Sequence, residues 1–362
     1  MKVHGIPYRS IQPTADGTAI EIIDQTRLPH EFILVRLDNL EAAARAIKTM
    51  QVRGAPLIGA TAAWGVALTM RQRVTNAALD GACQVLLSTR PTAINLRWAL
   101  ERMRHRLLPL PEGERAKAAW GEATAICDED AGINRSIGEH GLPLIRRRHD
   151  EKRDTVQIMT HCNAGWLATV DYGTALAPVY VAHDAGIPVH VWVSETWPRN
   201  QGASLTAWDL GQHGVPHTVI VDNLAGHLMQ RGLVDMVIVG TDRTTANGDV
   251  GNKVGTYLKA LAARDNDVPF YVAAPGPSID WTLQDGVRDI PIESRDGDEV
   301  AWISGRTATG DIARVCVTPE FSPVLNEGFD VTPARLVTAL ITERGVSAAS
   351  REGLLSLYPE RP

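Results

Sequence analysis

Apolar positions recur along the chain in two rhythms, and the rhythm changes near residue 154. Over residues 78–87, 93–107 and 114–126 they form a stripe every three to four residues, with charged residues on the opposite side. That spacing predicts amphipathic helices. After Asp154 the pattern becomes short, β-branched runs at 156–159, 189–193, 218–221, 236–239 and 270–273. Helical stretches alternate with them at 174–184, 204–212, 223–231 and 253–262. A short, mostly β-branched run such as 236–239, apolar at every position, predicts a strand buried on both faces, and the alternation of such runs with helices predicts a parallel, doubly wound sheet. The first forty residues read as strands at 18–24 and 31–36, with Asp38 or Asn39 capping a helix after them. Between the two rhythms lies Arg146-Arg147-Arg148-His149, followed by five charged residues. It reads as a solvated helix end and marks a boundary between residues 1–150 and 151–362.

A length of 362 residues suits such a two-domain α/β chain. With 44% hydrophobic and 22% charged residues it is globular. A formal net charge of −6 argues against a general nucleic-acid binder and leaves room for a local basic pocket. The longest largely apolar run, 57–70, is too short to span a bilayer, and the first residues carry no apolar signal core. Cys83, Cys127, Cys162 and Cys316 show neither C-x-x-C nor zinc spacing, so free thiols in a cytoplasmic protein are expected.

The chemistry gathers where strands are predicted to end. Gly240 stops the 236–239 run, and Asp242 would project into the crevice beyond the sheet's carboxyl edge. On the same loop, Asn252 and Lys253 fall where a helix start would offer free N–H groups to an anion. A carboxyl and an anion cradle together suggest acid–base chemistry on a phosphorylated small molecule. Arg53-Gly54-Ala55-Pro56 has Pro56 in a first helical turn, so it reads either as a phosphate site or as a helix entry with an exposed arginine. Arg90, in the turn before the 93–107 helix, is an anion contact or a solvated loop residue. Past the first strand stands Thr160-His161-Cys162-Asn163-Ala164-Gly165, which is not G-x-G-x-x-G, so no dinucleotide cofactor is expected. Cys162 would face the crevice with its thiolate stabilised by His161, unless it is a small core residue. Glu195 and Gln201-Gly202 sit on a third strand-end loop, where Gln201 meets sugar hydroxyls or shapes the turn.

Arg53-Gly-Ala-Pro, Thr160-His-Cys-Asn-Ala-Gly, Gln201-Gly-Ala with Leu205-Thr-Ala-Trp, Asp222-Asn, Asp242-Arg, Ala246-Asn-Gly-Asp and Asn252-Lys-Val-Gly-Thr occur in this order. Pro291-Ile-Glu and Phe329-Asp-Val-Thr-Pro extend them. Together they resemble the S-methyl-5-thioribose-1-phosphate isomerases of methionine salvage over nearly the whole chain. The resemblance implies a cofactor-free aldose–ketose isomerase, usually a homodimer, and because the sequence has no cluster of carboxylates and His that a metal-dependent isomerase needs, no metal is expected. It implies a small N-terminal domain of short strands and a helical bundle, and a Rossmann-like C-terminal domain. Cys162 and Asp242 would be the catalytic pair, with Arg53, Gly54, Ala55, Arg90, Gln201, Asn252 and Lys253 holding a phosphorylated pentose. To open the locked ring, Asp242 would have to be protonated at neutral pH, which requires a raised pKa. The chain departs from the pattern at Ser194 and Trp197, where an aspartate and an arginine are usual. It departs again at Ser294 in place of a glutamate, at Thr244 in place of an apolar residue, and in a longer segment at 312–329. These departures leave the reaction type but open the substrate to 5-deoxyribose 1-phosphate or ribose 1,5-bisphosphate. Regulatory subunits of the translation-initiation nucleotide exchange factor share the fold and lack the Cys–Asp pair.

Overall fold

The β-branched runs after residue 154 pair into one seven-stranded sheet in the computed structural model, which describes residues 1–361. Its order is Gly345–Ser347, Ala339–Thr342, Phe270–Ala273, Met236–Val239, Val156–Thr160, Val189–Ser194 and His217–Ile220. Every pairing is parallel except the hairpin that ends it at Gly345–Ser347. Helices cover the faces, as an α/β chain with buried parallel strands requires. The four residues of Met236–Val239 are all buried, in accord with their unbroken apolar pattern. His217–Ile220 differs from expectation. It is an edge strand whose Val219 stays 44% exposed, because the sheet ends there.

The helical stretch ends in a single 41-residue helix, Glu112–Lys152. Its first half contributes Ala119, Ala123 and Ile126 to a core built around the largely buried, Ala-rich Ala55–Gln72 helix. Its second half places Ile137 and Ile145 against the sheet core. The basic run at its end is not simply solvated. Arg148 Nη2 and Lys152 Nζ grip Asp235 at 3.0 and 2.8 Å, and Asp235 immediately precedes the central Met236–Val239 strand.

A second correction concerns residues 250–265. Asn252 and Lys253 do not open a helix. Val250–Lys253 is a strand, paired with Phe329–Thr332 and Arg243–Thr245 in a small sheet beyond the carboxyl edge of the large one. The helix starts at Thr256, after Gly255 in the left-handed region. It buries Thr256, Lys259, Ala260 and Ala263, while the expected stripe, Leu258 and Leu261, faces outward at 68% and 36% exposure. No helix among the described residues is long and apolar enough to cross a membrane.

Candidate functional site

From Val156–Thr160 the chain winds to one side of the sheet, and from Met236–Val239 it winds to the other. These two strands are neighbours, with Ile158 opposite Met236. The crevice at such a topological switch point is where open α/β sheets bind ligands. Cys162 leaves the end of one strand and Asp242 the end of the other, so the two candidate residues flank the crevice. They interact electrostatically.

Cys162 is held in an uncommon backbone conformation, φ +62°. Its N–H donates to Thr196 Oγ1 at 2.7 Å and its carbonyl accepts from Thr206 Oγ1 at 2.6 Å. Over-determined positive φ at a non-glycine residue is a mark of functional loops. The thiol donates to Gln201 Oε1 at 3.4 Å. Burial pushes the thiol's pKa up, although Arg53 and Lys253 pull the other way. The expected help from His161 is absent. Its ring turns away, with Nε2 on the Val254 carbonyl at 2.8 Å, and burial beside Lys259 holds it neutral. Ser194 fits this loop in its own way. Its hydroxyl donates to Asp222, whose other oxygen accepts the Trp197 N–H at 2.8 Å. An aspartate at 194 would set a like charge against Asp222.

Asp242 donates its N–H to Gly251 at 3.0 Å, but its carboxyl accepts no hydrogen bond among the described residues. It is partly exposed, through the cavity it lines, yet deep among protein atoms. Burial raises its pKa against the pull of Lys253, Arg53 and Arg90, and Glu293 adds to the rise. The free N–H groups of the Thr256–Asp265 helix are not an anion cradle, because Asp330 takes those of Gly255 and Tyr257. Lys253 instead offers its side chain. It is 7% exposed, forms no ion pair among the described residues, and rests its Nζ 5.2 Å from the Phe329 ring centre. Asn252 spends its amide nitrogen on Thr256 Oγ1 at 3.0 Å.

Arg53 is braced by Asn163, Nη1 to the side-chain oxygen at 2.7 Å and Nη2 to the carbonyl at 3.0 Å. Asn163 passes its amide N–H to the buried Asp209 at 2.8 Å, which fixes the amide so that its oxygen faces the guanidinium. Arg53 Nε and Arg90 Nε are both buried without a partner. The N–H groups of Gly54 and Ala55, at the start of the Ala55–Gln72 helix, also meet no acceptor among the described residues. Gly54 has φ +89°, and a Cβ there would lie 2.4 Å from the Ala168 carbonyl. Two cavities lie on either side of this turn. The larger, about 470 Å³, reaches Arg53 and Gln201 and is roofed by the Trp302–Arg306 and Ile312–Cys316 hairpin of the long C-terminal segment. The smaller, about 40 Å³, is lined by Ala55, Arg90 and Asp242. Cys162 and Lys253 stand behind them, Cys162 bonded to Gln201 and Lys253 in electrostatic reach of Asp242.

Gln201 leads into a π-helical turn, Gly202–Thr206, of the kind that recurs at functional sites. A Cβ on Gly202 would sit 1.7 Å from the Ser194 carbonyl oxygen. Gly202→Ala is therefore expected to cost about 3 kcal/mol, the upper range for overpacking, read as a lower melting midpoint. An unchanged midpoint would show that the turn relaxes freely. Asn163, Asp209, Thr196 and Glu293 were not singled out from the sequence as site residues. Asn163 and Glu293 lay inside the quoted motifs, but nothing local marks Asp209 or Thr196.

A switch-point thiol and carboxyl, ringed by basic groups with unpartnered donors, define an α/β protein built around a small anionic ligand. Among the described residues no three His, Cys, Asp or Glu side chains are grouped to hold a metal ion. The chain belongs to the initiation factor 2 subunit family, which it matches over residues 51–349. It is 65% identical to a methylthioribose-1-phosphate isomerase of Rhodospirillum rubrum, over all of this chain and 94% of the relative. Among solved structures it resembles the 5-methylthioribose 1-phosphate isomerase of Pyrococcus horikoshii OT3, with a TM-score of 0.84 and 39% identity, covering 98% of this chain and 97% of that one. It also resembles translation initiation factor eIF-2B, subunit delta, from A. fulgidus, with a TM-score of 0.80 and 37% identity, covering 98% and 100%.

Proposed function

We propose that this chain is an aldose–ketose isomerase that converts S-methyl-5-thio-α-D-ribose 1-phosphate to S-methyl-5-thio-D-ribulose 1-phosphate in methionine salvage. The names of its full-length relatives support the substrate. The observation that carries the chemistry is the site itself, where Asp242 has a carboxyl without a donor and a raised pKa, among basic groups of which Arg53 and Lys253 form no ion pair among the described residues and Arg53 and Arg90 keep a buried Nε without a partner. Arg53, Arg90, Lys253 and the N–H groups of Gly54 and Ala55 take the phosphate. Gln201 and Asn252 meet the sugar. Asp242 protonates the ring oxygen as the C1–O bond breaks, because a C1 phosphate ester cannot open like a free hemiacetal. The hydrogen on C2 moves to C1 beside Cys162, and the proton leaving the C2 hydroxyl balances the one delivered. Oxidation at C2 matches reduction at C1, so no external oxidant or cofactor is consumed. Residues 1–150 supply phosphate contacts and residues 151–362 the catalytic pair, in a cytoplasmic homodimer.

Turnover of 5-methylthioribose 1-phosphate beside 5-deoxyribose 1-phosphate and ribose 1,5-bisphosphate tests this. The methylthio sugar is expected to have the highest kcat/KM. Preference for either other sugar would move the substrate and keep the reaction. A wild type inert on all three would favour the role of the eIF-2B-like neighbour.

A further inference from the structure

The arginine that closes the small cavity is not held by its own loop. Arg90 caps the Asn76–Thr89 helix, and its Nη2 reaches across the molecule to Glu293 Oε2 at 2.5 Å. The other oxygen of Glu293 accepts Arg295 Nη1 at 2.9 Å. Arg295 grips Glu299 through Nε at 2.8 Å and Nη2 at 2.6 Å, and Glu299 also takes Arg199 at 2.8 Å. Charges of alternating sign thus run from Arg90, beside Asp242, to Arg199 and Glu299 on the wall of the large cavity. Their side chains are between 11% and 30% exposed, so the ladder is largely desolvated. In such surroundings a broken link leaves a charge with no solvent to replace its partner.

We propose that Glu293 is a positioning residue of this site, tying Arg90 at Nη2 so that the rest of its guanidinium stays aimed at the substrate's phosphate. The proposal rests on the isomerase reading above. Two observations carry it. The guanidinium is tied at Nη2 only, and its buried Nε has no acceptor. Asp242 lies in the same small cavity, so an Arg90 released from Glu293 would find that carboxyl as its next counter-charge. Arg90 bonded to Asp242 would neutralise both the phosphate contact and the acid. Glu293 therefore aims Arg90 and keeps it off Asp242.

Glu293→Gln and Glu293→Asp test the proposal through two measurements. In the first, binding of inorganic phosphate by calorimetry, Glu293→Gln is expected to weaken affinity about tenfold, the loss of one well-aimed charge-assisted contact. The second is kcat and KM for the methylthio sugar across pH. KM is expected to rise about as much, since a phosphate contact is being lost. The alkaline limb should move to lower pH, because Asp242 loses a like charge and gains Arg90, while Lys253, Arg53 and Cys162 face it unchanged. Glu293→Asp, which keeps the charge on a shorter arm, should recover part of both. Phosphate affinity and alkaline limb both equal to wild type in a folded Glu293→Gln would overturn the proposal. A wild type that binds phosphate in a Glu293-dependent way yet turns over no sugar would sink the isomerase reading and support the bracing of Arg90.

Discussion

Asp242→Asn is expected to lower kcat by about 10²–10⁴-fold, the range for removing a positioned general acid. KM should stay within about threefold, because the acid is engaged chiefly in the transition state. The substitution is isosteric, and the native carboxyl accepts no hydrogen bond among the described residues, so nothing structural is lost with it. What goes is the proton. Burial raises the Asp242 pKa, and the acid is used in its protonated form, so wild-type activity must fall as pH rises through that raised value. Stability follows the same sign. A carboxyl whose folded pKa is raised contributes stability fully present below its unfolded pKa and lost as pH rises through the folded one. Asparagine has no proton to lose, so Asp242→Asn should melt no lower than wild type at neutral pH and compare best with it in mild alkali. Steady-state kinetics paired with thermal unfolding at several pH values checks both halves. A variant retaining more than about a tenth of wild-type kcat would remove Asp242 from the acid's role.

The parts of this site that were legible in the sequence are those tied to a strand end. The run at 236–239 is apolar at every position and that at 156–159 at all but Gln157, so both read as buried strands, and Cys162 and Asp242 follow from where those strands stop. Their adjacency was not legible, because strand order depends on pairing between segments far apart in the chain. Lys253 was placed on a helix for a similar reason. Val250–Lys253 is a strand through a short hairpin with Arg243–Thr245 and, along its whole length, through Phe329–Thr332 some eighty residues on, and its polar, Gly-rich sequence has no strand-like apolar pattern. Leu258 and Leu261 misled because the helix buries its small residues and shows its large ones. His161 looked like a partner for its neighbour Cys162, yet its ring is claimed by a carbonyl 93 positions away. The brace between Arg90 and Glu293 spans 203 positions. Candidate reactive groups are legible in local pattern, whereas the groups packed around them are not.

The hydrogen carried from C2 to C1 should arrive without exchanging with water, and that expectation comes from the state of Cys162. A base would have to be a thiolate. Burial raises the Cys162 pKa even with Arg53 and Lys253 nearby, and His161 is held neutral and turned towards Val254. The resting group is therefore S–H, donating to Gln201 Oε1. A neutral thiol is a poor acceptor for a C–H proton but a polarisable neighbour for the positive charge that grows on C1 as the ring opens. Direct transfer as hydride is therefore the expected course, with Cys162 as a stabilising group beside the reacting carbons. Deuterium placed on C2 should then be recovered on C1 of the product, and solvent deuterium should not enter there. Cys162→Ser keeps a donor towards Gln201 but shortens the arm and hardens the atom, and kcat is expected to fall by about 10²–10³-fold, the scale set by misplacing a group that must touch the reacting atoms. Iodoacetamide should modify native Cys162 slowly at neutral pH and faster only above the ordinary thiol range. Solvent label at C1, together with rapid neutral-pH alkylation, would return Cys162 to the role of base and make the intermediate an enediolate.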